Sequence, residues 1–296
     1  MVLIDQRPSR RLVDMAISAK EVGAARWLPP ATFAGRRALV TGGGTGLGLQ
    51  ISRGLAQLGA AVVVASRDAA HHAALLAEAK DRGWMIESMV LDVREPAQVE
   101  RAAARLSELA LDVDILVNNA AGNFLCPSER LSARAWRAVV GIALDGTFYC
   151  TRYFSRSMLA QGSGSILNIV ATYAWTGMPW VVHSASAKAG VLAMTRSLAV
   201  EWAARGVRVN AIAPGPFHSE GAEANLWPHA SQRMRLESQI PLGRLASAEE
   251  VAAHCLYLLS PACAYITGEC LVVDGGLSLG RAMWASEAEL DPRAKP

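Results

Sequence analysis

A cluster of glycines between a short apolar stretch and a longer helical one is the strongest constraint on this chain. Residues 38–40 are apolar β-formers. The run Thr41-Gly42-Gly43-Gly44-Thr45-Gly46-Leu47-Gly48 follows, and residues 46–58 then read as a helix ending at Gly59. Glycine adopts left-handed backbone angles without a Cβ clash and lets another group approach the main chain closely. A helix that begins at such a turn presents free N–H groups and the positive end of its dipole. Strand, glycine turn and helix in that order form the start of a βαβ unit with an anion site at the turn.

The remaining chain repeats the alternation without a break in composition. Strands are predicted over residues 61–65, 85–91, 115–117, 165–170, 208–212 and 271–274. Helices are predicted over residues 68–82, 96 to about 110, 135–159, 183–204 and 247–259. Asp68 and Ser247 stand at N-cap positions, the latter with Glu250 three residues on, and Gly83 stands near a helix end. The strand at 61–65 is continuously apolar, as a strand covered on both faces must be. The pattern predicts an α/β fold with a single doubly wound parallel sheet of Rossmann type and helices on both faces. Residues 35–280 form that domain, flanked by extensions at 1–34 and 281–296. Residues 219–237 are polar and expected to be irregular, covering the site.

Bulk properties exclude several classes. The net charge of +3 over 296 residues is too small and too scattered for a nucleic-acid or membrane surface. Five cysteines show no CxxC pair and no Cys/His pattern, so no metal is expected and the thiols are read as free. Residues 1–30 lack an apolar secretory core. Asp5, Asp14 and Glu21 argue against a mitochondrial leader, so a cytoplasmic protein of bacterial type is expected in preference to a matrix one.

The end of the second predicted strand reads Ala65-Ser66-Arg67, where an NAD enzyme places an acidic residue for the ribose 2′-hydroxyl. A guanidinium at Arg67 and a hydroxyl at Ser66 suit a 2′-phosphate instead, which makes NADPH the expected cofactor. Asp68 is read as a helix cap. Asp92, followed by Val93 after the third strand, can accept from an adenine amino group or cap the next loop. Asn123, Tyr173 and Pro214 follow the fourth, fifth and sixth strands, at the carboxyl edge where ligands bind in open α/β sheets. Ser184 and Lys188, four apart, share one helix face.

Taken together, the Thr41–Gly48 turn, Asn118-Asn119-Ala120-Ala121-Gly122, the Lys188 helix, Asn210 with Pro214-Gly215, and Asp274-Gly275-Gly276 resemble the short-chain dehydrogenase/reductase superfamily over roughly residues 34–280. Most of its members carry a tyrosine four residues before the lysine. Here Ser184 occupies that place, and Tyr173 lies fifteen positions before Lys188. With Leu28-Pro29-Pro30, Glu129-Arg130-Leu131-Ser132 and Pro214-Gly215-Pro216, this narrows the resemblance to 2,4-dienoyl-CoA reductases. Peroxisomal 2-enoyl-CoA reductases are similar in Gly177-Met178-Pro179 and His183-Ser184.

The resemblance implies an acyl-CoA substrate and a homotetramer, with the helices at 135–159 and 183–204 as candidates for subunit contacts. It implies that Tyr173 and Asn123 hold the thioester carbonyl, and that Ser184 and Lys188 order the cofactor. Gly42, Gly44, Thr45, Gly46, Leu47 and Gly48 would cradle the pyrophosphate. Ser66, Arg67, Asp92, Val93, Asn119, Pro214, Gly215 and Phe217 would complete the cofactor site. Arg94, Phe124 and Ser132 would touch acyl-CoA, and Asn225 stands where such enzymes often have a CoA-binding arginine. His183 is read as structural or pocket-lining. Trp175 and Trp180 could line an acyl pocket or pack on a neighbouring subunit. Two rival readings are an alcohol dehydrogenase or 3-ketoacyl reductase with another proton donor, and a non-catalytic NADP-binding relative.

Overall fold

The computed structural model describes residues 23–279, apart from residues 220, 222, 224, 225 and 228. Residues 1–22 of the predicted N-terminal extension, the whole of the predicted C-terminal extension, and Asn225 therefore lie outside the described residues. Seven parallel strands form one sheet in the order β3-β2-β1-β4-β5-β6-β7. They are β1 (Arg37–Thr41), β2 (Ala61–Ser66), β3 (Ile86–Val90), β4 (Ile115–Asn118), β5 (Gly164–Ile169), β6 (Val207–Pro214) and β7 (Cys270–Val273). The order reverses between β1 and β4, which opens a crevice at their carboxyl ends.

Alternation along β2 shows how the sheet is buried. Val62 and Val64 pack with α1 (Gly46–Gln57) and α9 (Ala248–Leu259), whereas Val63 and Ala65 face the opposite layer. That opposite layer contains α3 (Pro96–Glu108), α5 (Gly146–Gln161) and α7 (Val182–Trp202), through Val99, Phe154, Met158 and Trp202 among others. A central strand covered twice needs apolar side chains at successive positions, which the Ala61–Ser66 sequence supplies. β3 is an edge strand and is correspondingly less buried. Ala25 and Phe33 are buried in the α1/α9 layer, so the chain just before β1 packs on the body.

Two expected elements differ. The helix predicted over 135–159 is divided into α4 (Ala133–Val140) and α5 by a π-helical turn, Gly141–Asp145. Glycines stand at 141 and 146, where helix propensity is lowest, and the extra residue of a π turn lets α5 close on Val93. The stretch 219–237, expected to be irregular, contains α8 (Ala230–Glu237), whose start is capped by His229 and Gln232 acting reciprocally. That capping pair satisfies the helix N-terminus in a sequence that is mostly polar, five residues of eight. The helix predicted from Asp68 opens as a 3-10 turn, Ala69–His72, before α2 (Ala73–Arg82). Asp68 caps it by accepting from Ala70 N at 2.9 Å.

Candidate active site

The glycine turn is fastened to the end of β4. Thr41 Oγ1 accepts from the N–H groups of Asn119 and Ala120, both at 3.0 Å. The Asn119 amide nitrogen donates back to the carbonyls of Thr41 and Gly42 at 3.0 and 3.2 Å. Gly42 has φ +63°, a region closed to most side chains, and a Cβ at Gly48 would collide with the Gly42 carbonyl. Thr45, the N-cap of α1, leaves the first N–H groups uncapped by its own side chain. A bare main-chain cradle at a helix N-terminus fits the pyrophosphate of a dinucleotide.

Beside the cradle is a cleft of about 680 Å³. It brings together Thr45, Gly46, Leu47, Asn119 and Asn123 from the β1 and β4 ends. Tyr173, Ser184 and Lys188 come from the β5 side, and Pro214, Gly215 and Phe217 from the β6 end. Tyr173 opens a single helical turn, α6 (Tyr173–Thr176), directly after β5. Its hydroxyl lies 3.0 Å from Ser184 Oγ, and the Asn123 side chain lines the same cleft. Asn123 Oδ1 accepts from Phe124 N at 2.9 Å, which turns the amide so that its NH₂ is the end offered to the cleft. Burial pushes the Tyr173 pKa up, and the neighbouring Ser184 and Asn123 side chains offset this without reversing the direction. The phenol therefore stays protonated at neutral pH and has a hydrogen to donate.

Lys188 lies beneath Ser184 on α7 and donates from Nζ to the Ile169 carbonyl at 2.5 Å. The side chain is buried with no carboxylate paired to it among the described residues, and desolvation lowers its pKa to about 8.

A second cluster forms at the ends of β2 and β3. Ser66 Oγ donates to the Asp68 carbonyl at 2.8 Å and meets His72 Nε2 at 2.8 Å. Arg67 is exposed. Asp92 and Arg94, expected to meet adenine and acyl-CoA, pair with each other, with Arg94 Nε donating at 2.9 Å. That guanidinium, and more weakly Arg67, holds the Asp92 carboxyl below its usual range. Val93 is buried against Gly146 at the start of α5.

Arg94, Phe124 and Ser132, expected to touch acyl-CoA, are not among the residues lining the cleft. Ser132 caps α4, accepting from Ala135 N at 3.1 Å. Phe124 stacks on His183 with ring centroids 4.5 Å apart. The His183 ring is fully buried, and neither nitrogen makes a hydrogen bond of good geometry among the described residues. Burial, only partly offset by the Phe124 carbonyl, lowers its pKa. Trp175 and Trp180 are both exposed.

Sequence reasoning overlooked a buried amide ladder. Asn118 donates to Thr151 Oγ1 at 2.9 Å and to Asn168 Oδ1 at 2.8 Å, and Asn168 donates to Thr195 Oγ1 at 2.9 Å. It ties α5, β4, β5 and α7 together under the cleft. An asparagine inside each of two apolar strands was the available signal. His72 and Ser88, which adjoin Ser66, carried no signal, because their meeting depends on the 3-10 turn after β2. Among the described residues no helix is long and apolar enough to cross a membrane, and no cluster of three metal-ligating side chains occurs.

Residues 42–278 match a family model described as Enoyl-(Acyl carrier protein) reductase. A probable 2,4-dienoyl-CoA reductase [(2E)-enoyl-CoA-producing] of Bacillus subtilis is 42% identical over 80% of this chain and 94% of its own length. A peroxisomal 2,4-dienoyl-CoA reductase [(3E)-enoyl-CoA-producing] of Pongo abelii is 41% identical over 81% and 82%. Among solved structures, a putative NAD(P) dependent gluconate 5-dehydrogenase from Beutenbergia cavernae with bound NADP superposes with TM-score 0.81. It is 36% identical, covering 85% of this chain and 100% of that one.

Proposed function

The chain belongs to the short-chain dehydrogenase/reductase family, and from that membership we propose that it is an NADPH-dependent reductase of the conjugated double bond in 2,4-dienoyl-CoA or 2-enoyl-CoA thioesters. One observation carries the reading. The phenol that meets Ser184 at 3.0 Å comes from Tyr173 on α6, not from the position four residues before Lys188. Relatives named as dienoyl-CoA reductases and a neighbour holding NADP support it.

Bound NADPH supplies the hydride, which a 2,4-dienoyl thioester takes at C5. Tyr173 and Asn123, both donors at the cleft, hold the thioester oxygen as negative charge gathers there, leaving a dienolate. Donors of this kind are commonly worth roughly 3–4 kcal/mol each in the transition state. Lys188, while protonated, orients the cofactor ribose and adds positive potential. A proton from water or Tyr173 then reaches the α-carbon, and the product is a 3-enoyl thioester. Protonation at the γ-carbon would give a 2-enoyl thioester, and the names of the two curated relatives divide along that line. The enzyme is further proposed to be a cytoplasmic homotetramer.

A carbonyl-reducing activity is the second reading, favoured by the likeness to a gluconate 5-dehydrogenase. A dienoyl-CoA, crotonyl-CoA and acetoacetyl-CoA, followed side by side by NADPH absorbance, separate the two. Turnover of acetoacetyl-CoA with neither conjugated thioester reduced would refute the proposal.

A further inference from the structure

The 3-10 turn after β2 contains a fully buried histidine that the chemistry above does not use. His72 Nδ1 meets Ser88 Oγ at 2.6 Å, and its Nε2 meets Ser66 Oγ at 2.8 Å. Ser66 also donates to the Asp68 carbonyl at 2.8 Å. A carbonyl only accepts, and Ser66 has one hydroxyl hydrogen. Both Ser66 contacts are hydrogen bonds at once only if His72 Nε2 carries the proton and Ser66 Oγ accepts it. Nδ1 is then bare and accepts from the Ser88 hydroxyl. The chain of donors therefore runs Ser88 to His72 to Ser66 and ends on a hydroxyl hydrogen at the exposed end of β2.

The same turn touches the phosphate cradle. A Cβ at Gly44 would collide with the His71 carbonyl and would lie 2.7 Å from His72 Cδ2. The imidazole is therefore wedged between the glycine turn, the end of β2 and edge strand β3. Burial, with His71 close by, keeps the ring neutral, as a donor–acceptor relay requires.

We infer that His72 is a positioning residue for the cofactor's 2′-phosphate: its Nε2–H holds Ser66 Oγ so that the Ser66 hydroxyl, released from the Asp68 carbonyl, donates to the phosphate and favours NADP(H) over NAD(H). A hydroxyl that accepts a hydrogen bond is the stronger donor in turn, and the polarisation accumulates along the three links. The ribose of NAD(H) lacks the phosphate and draws nothing from the relay. The inference rests on the NADPH reading above.

Binding of NADPH and of NADH to the full chain, read by quenching of tryptophan fluorescence, tests it. His72→Leu fills a similar volume and cuts the relay. It is expected to weaken NADPH by about tenfold while NADH keeps its affinity. His72→Gln restores a donor toward Ser66 and is expected to recover part of the NADPH loss. Ser88→Ala cuts the relay one link back, lowers the same ratio by less, and serves if His72→Leu fails to fold. Equal losses for both nucleotides would reveal a merely structural histidine and overturn the inference. An undiminished NADPH preference in His72→Leu would also overturn it, with the cofactor reading intact. A native protein that binds NADH as tightly as NADPH would overturn that reading and the inference together.

Discussion

Lys188 on α7 donates to the carbonyl of Ile169, the last residue of β5, across 2.5 Å. The bond pins the helix to the strand end from which Tyr173 follows four residues later, so the cation, the phenol and Ser184 are set by one junction. Among the described residues no carboxylate pairs with the lysine; a main-chain carbonyl holds it beneath the cleft.

That placement carries a pH signature. Burial lowers the Lys188 pKa from an ordinary 10.5 to about 8. In the proposed mechanism the protonated form orients the ribose; that form is present below about pH 8 and lost as pH rises through that value. NADPH affinity, followed by fluorescence titration, is expected to decline above about pH 8 in the native protein and to lose this inflection in Lys188→Met. For stability the sign is opposite. Between about pH 8 and 10.5 the unfolded chain holds the extra proton, so the Lys188 contribution to stability rises with pH across that window.

Tyr173→Phe removes the donor and keeps the ring. Turnover of a dienoyl-CoA is expected to fall by roughly 10²–10³-fold, with NADPH binding nearly unchanged. Stopped-flow NADPH oxidation measures the first and fluorescence quenching the second. Near-native turnover would take Tyr173 out of the mechanism.

Gly48→Ala places a methyl group against the Gly42 carbonyl, a main-chain atom held by Asn119. The turn must move, at a cost of roughly 1–3 kcal/mol. A lower melting temperature and weaker binding of both NADPH and NADH are expected. A fully native melt and native affinities would show that the turn is not packed as described.

Trp136 on α4, Phe148 on α5 and Val200 on α7 leave large apolar side chains exposed, Val200 at 84%. Burial between subunits is expected to cover these helices in a homotetramer. Sedimentation equilibrium at micromolar protein tests this, and a monomer mass would exclude it.

Much of the fold was legible because its signals are local. β1, the glycine turn and α1 are contiguous; Gly42 is required by its own left-handed backbone angle, and Gly48 by the Gly42 carbonyl six residues back. Apolar runs mark β2 and β4 for the same reason: a strand buried twice has no polar face to display. The π turn at Gly141–Asp145 was not legible, since the periods of an α-helix and of one with a single extra residue differ too little over 25 residues. Nor was α8, most of whose residues are polar and whose start depends on a His229–Gln232 cap.

The candidate site divides in the same way. Which residues stand at strand ends, and that Ser184 and Lys188 share a helix face, follow from chain order and helical pitch alone. Contacts between distant segments depend on how α6 and α7 pack and how β2 meets β3. Those tertiary contacts bring Tyr173 to Ser184 and thread His72 between Ser66 and Ser88. Sequence specifies what each strand end can offer; the angle at which a side chain arrives is set by elements far away in the chain, whose close packing no local pattern encodes.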